Sequence, residues 1–196
     1  MEILLVRHTT PSVEKGICYG QTDLALADTF EIERAQVLVK IKEMGLNTEG
    51  YALYSSPLKR CADLADFLSQ NLSQSSNQSL NQRVIYDDRL KELNFGAWEN
   101  QAWNDLPQDD LMLWMNDFVQ ARPPEGESFE DLNTRVFNFI KSLQIVDSQL
   151  VVLVTHAGVM RVLMAQAQGL PLAKAFEIKL DYGAVALLKA DSLISP

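Results

Sequence analysis

The sequence predicts an α/β fold: a three-layer α/β/α sandwich with a mainly parallel central sheet. Three observations carry that expectation. Two short apolar runs rich in branched residues, at 3–6 and 150–154, read as strands covered on both faces. Strand-like runs alternate along the chain with segments whose apolar residues recur at helical spacing. The 196 residues fall within the range of one cooperative domain, so one sheet accommodates the alternation.

The first run stops at Arg7-His8, and Pro11 disfavours helix for the residue before it. A loop containing Gly16, Gly20 and Asp23 follows. A helix is expected from Asp28, a cap with Glu31 three positions on; Ile32, Ala35 and Val39 supply its spacing and Gly45 its stop. Residues 51–54 read as the second strand. Ser56 is the candidate cap of the next helix, with Pro57 at the first helical position. Leu58, Cys61, Leu64, Ala65 and Leu68 give that helix an apolar face. Residues 69–82 are almost all Ser, Gln and Asn, a low-complexity stretch expected as a surface insertion or helix end.

Residues 84–86 are the third expected strand, and 90–99 a loop. The aromatic segment 103–119 is expected to be helical in part, until Pro123-Pro124-Glu125-Gly126 breaks it. Ser128 with Asp131 is a second capping signal, ahead of the stripe Phe129, Leu132, Val136, Phe139, Ile140 and Leu143. The strand at 150–154 leads through Thr155-His156-Ala157-Gly158 into an apolar helix ending at Ala167. Residues 177–180 and 184–188 are expected as a closing pair of strands around the Asp181-Tyr182-Gly183 turn.

Composition narrows the function. Hydrophobic residues make up 47% and charged residues 22%, an ordinary globular balance that argues against disorder. A net charge of −9 repels nucleic acid and anionic lipid unless a local basic site overrides it. No run of eighteen apolar residues exists, and the apolar start ends at Arg7, too short for a signal peptide; a cytoplasmic protein is expected. Cys18 and Cys61 form no CxxC pair, and two histidines are too few for a multi-histidine metal centre.

Those two histidines, His8 and His156, each stand directly after a buried-looking strand. The carboxyl ends of strands form the ligand crevice of open α/β sheets, so both imidazoles can meet there; equally, each can be an ordinary structural histidine. Arg7 ends an apolar strand, where a cation needs an anionic partner, and Arg60 can enter the same crevice. Two guanidinium groups suit the bidentate recognition of phosphate. A nucleophilic histidine must be neutral, with one ring nitrogen free and its tautomer fixed from the other. Phosphate fits this set of groups better than a metal.

Several ordered segments then make a pattern. Arg7-His8 follows a strand; Ser55-Ser56-Pro57-Leu58-Lys59-Arg60 and Leu90-Lys91-Glu92-Leu93-Asn94-Phe95-Gly96-Ala97-Trp98-Glu99 come next. Pro124-Glu125-Gly126-Glu127-Ser128 with Arg135, and Thr155-His156-Ala157-Gly158, complete the order. By these segments the chain resembles the histidine phosphatase superfamily, also called phosphoglycerate-mutase-like, over essentially its whole length. The resemblance implies one histidine phosphatase domain at 1–196 with the phosphoglycerate-mutase-like fold and a cap-like segment at about 98–128. It implies His8 as the nucleophile that becomes phosphohistidine, with Arg7, Arg60 and His156 as the phosphate pocket. Glu92 takes the place of the acid that protonates the departing alcohol and then activates water. Gly20, within Ile17-Cys18-Tyr19-Gly20-Gln21, resembles the family's backbone donor site; Gln21 and Ala157 join it as phosphate-binding candidates. The chain departs from the pattern at Thr9 and Thr10, where Gly and then Glu or Gln are frequent, and at Glu14, where many members carry a phosphate-binding Asn. Thr9 or Thr10 is the candidate replacement donor.

Within the superfamily, the Arg-His-Thr-x-Pro opening and residues 16–23 resemble bacterial alpha-ribazole phosphatases. Those enzymes remove the 5′-phosphate of alpha-ribazole 5′-phosphate in assembly of the lower loop of cobalamin. The alternatives are another small-molecule phosphatase or a phosphoglycerate mutase of the same superfamily, and, from a different class, a non-catalytic phosphate-binding module. His8, His156, both arginines and Glu92 together argue against the last, since a binding module needs no nucleophile and acid. The expected partner is a small-molecule phosphate monoester, not nucleic acid or a membrane. The resemblance implies no metal and no organic cofactor. The aromatic residues Trp98, Trp103, Trp114, Phe118 and Phe129 near the cap leave a homo-oligomer open.

Overall fold

The computed structural model describes residues 1–72, 82–143 and 148–194. In chain order it contains β1 (Glu2–Arg7), α1 (Phe30–Glu43), β2 (Ala52–Ser55), α2 (Lys59–Asn71), β3 (Val84–Tyr86) and α3 (Gln108–Asn116). There follow α4 (Phe129–Ser142), β4 (Leu150–Thr155), α5 (Ala157–Ala167), β5 (Val185–Lys189) and α6 (Asp191–Ile194). The strands lie in the order β3-β2-β4-β1-β5, all parallel except β5, which runs antiparallel along the edge of β1.

The period of two along the central strands divides the core. Ile3, Leu5, Val151 and Leu153 face one side and pack with Leu132, Val136 and Phe139 of α4 and Val159 and Leu163 of α5. Leu4, Val6, Val152 and Val154 face the other, against Val37 and Ile41 of α1 and Leu64 and Leu68 of α2. Both runs are therefore apolar without alternation because each residue is covered whichever way it points. The expected three-layer arrangement with a mainly parallel sheet is what the chain adopts. Among the described residues no helix is long and apolar enough to cross a membrane.

Three local expectations are corrected. The first helix begins at Phe30, after Thr29, and neither Asp28 nor Thr29 caps it with a side chain. Glu33 gathers the Thr29 hydroxyl (2.6 Å) and the Thr10 N–H (2.8 Å), tying the helix start to the loop after β1. The second helix begins at Lys59 instead of Pro57. Ser56 Oγ accepts from the Leu58 N–H (3.3 Å) and is also bonded to His156 Nε2 (2.8 Å), but Leu58 stays extended, so the helix starts two residues later. Residues 177–180 form no strand. The carbonyls of Ile178 and Leu180 accept from Arg161 and Arg7 instead of from a neighbouring strand. Of the low-complexity stretch, Ser69 to Asn71 end α2, and residues 73–81 lie outside the described residues.

The capping signal before α4 forms as expected. Ser128 Oγ accepts from Asp131 N–H (3.1 Å) while Asp131 Oδ2 accepts from Ser128 N–H (2.8 Å), and Arg122 grips the same carboxylate. Ser128→Ala removes one half of this reciprocal pair at a buried position. It is expected to lower stability by about 1 kcal/mol, read as a lower urea midpoint at unchanged m-value.

Candidate active site

The parallel register of β1 and β4 sets Arg7 opposite Thr155, so the next residue of each strand, His8 and His156, emerges side by side. The His8 N–H donates to the Thr155 carbonyl (3.0 Å), and the two rings meet edge to face with centroids 5.0 Å apart. The convergence that the sequence left open is thus decided by strand pairing.

His8 Nδ1 lies 2.7 Å from the Thr9 carbonyl oxygen. A carbonyl only accepts, so Nδ1 carries the proton and Nε2 keeps its lone pair. Burial holds the His8 pKa well below that of ordinary imidazole; the charges of Arg60 and Arg7 add to this, and the Thr9 carbonyl opposes it. His156 is lowered in the same direction, first by burial and then by His8 and the surrounding arginines. Both rings are therefore neutral at pH 7.

A stability prediction follows from that sign. Below about pH 6.5 the unfolded chain protonates both imidazoles while the folded one does not, so stability falls as pH drops through that value. Each histidine contributes a slope of at most about 1.4 kcal/mol per pH unit. Urea midpoints are expected to fall between pH 7 and pH 5.5, and less steeply in His8→Asn. A midpoint that is flat over this interval contradicts the burial-driven shift. The carboxylates with lowered pKa, Asp87, Asp131 and Glu33, act in a separate and more acid window.

Two cations stand beside the histidines. Arg60 is fully buried at the start of α2, and its terminal nitrogens donate to the carbonyls of Thr22 (2.8 Å) and Gly20 (2.6 Å). Arg7 donates to the Leu180 carbonyl (2.6 Å) and lies under the Tyr182 ring, 4.1 Å from its centroid. Among the described residues neither is ion-paired with a carboxylate. Among the described residues Arg7 Nε, Arg60 Nε and the buried Thr9 hydroxyl find no hydrogen-bond partner. A buried cation such as Arg60, a half-buried one such as Arg7, and orphaned donors are costly without counter-charge, and a phosphoryl dianion satisfies all of them.

Glu92 approaches from the loop after β3. The Arg135 guanidinium fixes that loop by donating to the carbonyls of Arg89, Lys91 and Glu92 (2.7–2.8 Å), and Glu127 holds Arg135 in turn. Thr155 Oγ1 donates to the Leu90 carbonyl (2.7 Å), anchoring the same loop to the end of β4. Glu92 Oε1 accepts from the N–H groups of Leu93 (2.9 Å) and Gly158 (3.0 Å). A Cβ at Gly158 would run into the Glu92 carboxylate, which explains a glycine at that place in α5. Gly20 is constrained similarly, packed against the Leu93 carbonyl and the Glu99 carboxylate. Glu99 in turn binds the N–H groups of Gln21, Thr22 and Phe95 (2.6–3.0 Å).

A cavity of about 180 Å³ opens beside this cluster. Arg7, Tyr19, Gly20, Glu92, Arg161 and the first residues of α5, Ala157 and Gly158, form its polar wall, and Ile17, Phe95, Trp103, Phe129 and Phe176 its apolar one. The positive end of α5 favours an anion there. Of the sequence candidates, Gln21 does not line the cavity; its side chain donates to the Glu92 carbonyl (2.9 Å) and so braces the loop. Glu14 is exposed and away from it. Among the described residues no group of three or more His, Cys, Asp or Glu is placed to hold a metal ion.

Sequence reading passed over Arg161 and Tyr182. Arg161 carried a signal, being the only charged residue of α5. Tyr182 carried none, since its turn was legible only as a turn. Arg135 was part of a matched segment, but its bracing of Glu92 comes from three carbonyls that only the fold assembles.

The family described as "Histidine phosphatase superfamily (branch 1)" matches residues 3–192. The crystal structure of the alpha-ribazole phosphatase from Shigella flexneri superposes with a TM-score of 0.78 at 28% identity, covering 95% of this chain and 89% of that one. A protein of Escherichia coli O1:K1 / APEC, provisionally named phosphoglycerate mutase GpmB, is 30% identical over 177 residues, 87% of this chain and 76% of its own. A Hydrogenobacter thermophilus protein, provisionally named phosphoserine phosphatase 2, is 27% identical over 183 residues, 91% of this chain and 84% of its own.

Proposed function

Because the chain belongs to branch 1 of the histidine phosphatase superfamily, a histidine-centred hydrolase family, we propose that it removes the 5′-phosphate of alpha-ribazole 5′-phosphate through a phosphohistidine. In this reading the His8 Nε2 lone pair forms the N–P bond as the ester P–O bond breaks. Glu92 gives its proton to the departing oxygen, then takes one from the water that attacks phosphorus and releases His8. Arg7, Arg60 and His156 hold the equatorial oxygens, with the Thr9 hydroxyl and the Gly20 and Ala157 backbone as further donors. The segment at about 98–128 serves as the cap of one domain, and no metal is needed.

The observation that carries the choice of ester is the apolar half of the cavity. Phe95, Trp103, Phe129 and Phe176 stand beside Arg7 and Glu92, a wall suited to the flat ring of the ribazole base. The name of the Shigella structure points the same way. A second reading is favoured by Arg161, which reaches the same cavity and, among the described residues, is hydrogen-bonded only through its Nε, to Ile178. Its terminal nitrogens suit the carboxylate of a phosphoglycerate or phosphoserine, the substrates that the names of the other two relatives contain.

The test is kcat/KM for phosphate release from alpha-ribazole 5′-phosphate, phosphoserine and 3-phosphoglycerate, without added metal. A preference of at least about tenfold for alpha-ribazole 5′-phosphate supports the first reading. A preference for a carboxylated ester that Arg161→Met removes supports the second. Interconversion of phosphoglycerates without phosphate release identifies a mutase.

A further inference from the structure

The nucleophile in this chemistry is covered. His8 is 1% exposed, and Arg60 and His156 are 0% exposed, so the cavity beside Glu92 stops short of all three. Two phenols stand over the arginines of the site. The Tyr182 ring lies over the Arg7 guanidinium and 5.6 Å from the His8 ring. The Tyr19 ring lies 5.4 Å from the Arg60 guanidinium, and the two hydroxyls meet at 2.8 Å. One hydrogen bond therefore links the loop before α1 to the turn before β5 across both arginines. Tyr182 is 36% exposed and belongs to no core cluster, so its ring can turn towards solvent without opening the core.

We propose that Tyr19 and Tyr182 form a latch over the phosphoryl site, positioning residues that part before a phosphoryl group reaches His8. The proposal rests on the reading of His8 as nucleophile. With the latch shut, the face of Tyr182 occupies Arg7, and Arg7 Nε and Arg60 Nε are left without partners among the described residues. A phosphoryl dianion replaces this weaker cation–π contact with charge-assisted hydrogen bonds to the guanidinium groups. While most molecules are latched, the apparent affinity for a phosphate is reduced by the fraction that is open. Cutting the bond between the hydroxyls raises that fraction.

Tyr182→Phe and Tyr19→Phe each keep the ring and remove one end of that bond. The readouts are the dissociation constant for inorganic phosphate, by calorimetry, and the association rate of orthovanadate, by stopped flow. Each variant is expected to bind phosphate about fivefold more tightly, the scale of one neutral hydrogen bond, and to take up vanadate faster. The double variant gains no more than either single one, because all three lack the same bond. A purely structural pair leaves the association rate unmoved. Unchanged or weaker phosphate binding in Tyr182→Phe, or gains that add in the double variant, overturns the latch while ester hydrolysis by the wild type stands. If Tyr19→Phe does not fold, Tyr182→Phe alone decides. A wild type that binds no phosphate and shows no His8-dependent turnover overturns the reading of the site, and the latch with it.

Discussion

Replacing His8 by alanine is expected to lower kcat/KM by on the order of 10⁵ on every ester that the wild type hydrolyses. The size reflects what the ring supplies. Its Nδ1–H is fixed on the Thr9 carbonyl and its pKa is lowered by burial, so Nε2 is already unprotonated at neutral pH, as the proposed nucleophile must be. No other described side chain combines these properties with that position: the His156 Nε2 is hydrogen-bonded to Ser56, and burial raises the Cys61 thiol well above the range in which a thiolate forms. Two measurements check the prediction together. Rapid quench of the wild type into alkaline detergent traps a phosphoryl label that is stable to base and labile to acid, whereas His8→Ala gives none. Retention of more than about one part in a hundred of the activity would place the nucleophile elsewhere.

Glu92→Gln is expected to divide the reaction into its two halves. The amide oxygen still accepts from the Leu93 and Gly158 N–H groups, so the loop keeps its place, but no proton can be given or taken. On an alkyl phosphate, whose leaving oxygen needs that proton, kcat falls by roughly 10²–10⁴. On p-nitrophenyl phosphate the leaving group departs unaided and His8 is still phosphorylated. Hydrolysis of the phosphohistidine then limits turnover, giving a burst of one equivalent of nitrophenol followed by slow release. Equal losses on both esters, with no burst, would remove Glu92 from the proton transfers and leave it a purely structural acceptor.

That Arg7, His8, Arg60, Glu92 and His156 are candidates for one site is legible because each is adjacent in sequence to a feature that folding physics makes readable. His8 and His156 follow uninterrupted apolar runs, which are strands because both faces of β1 and β4 are buried. The start of α4 was legible because a capping box lies within four residues. Errors arose where a local signal was overridden by a distant partner. Ser56 reads as a helix cap, but its hydroxyl is shared between the Leu58 N–H and His156 and the helix starts only at Lys59; residues 177–180 read as a strand, but two of their carbonyls serve Arg161 and Arg7. Gln21, a phosphate-binding candidate by sequence, donates its side-chain amide to the Glu92 carbonyl.

The sequence by itself determined the strands, most of the helices and the chemical types at the strand ends, since periodicity, capping and turn chemistry act over a few neighbouring residues. Only the tertiary structure decided that β1 and β4 pair in parallel with Arg7 opposite Thr155, that Arg135 braces Glu92, and that Tyr19 and Tyr182 meet over the arginines. Those contacts join segments far apart in the chain. Their partners are selected by shared burial and by the need of each buried polar group for a complement, and neither condition exists until the sheet and its two helical layers have assembled.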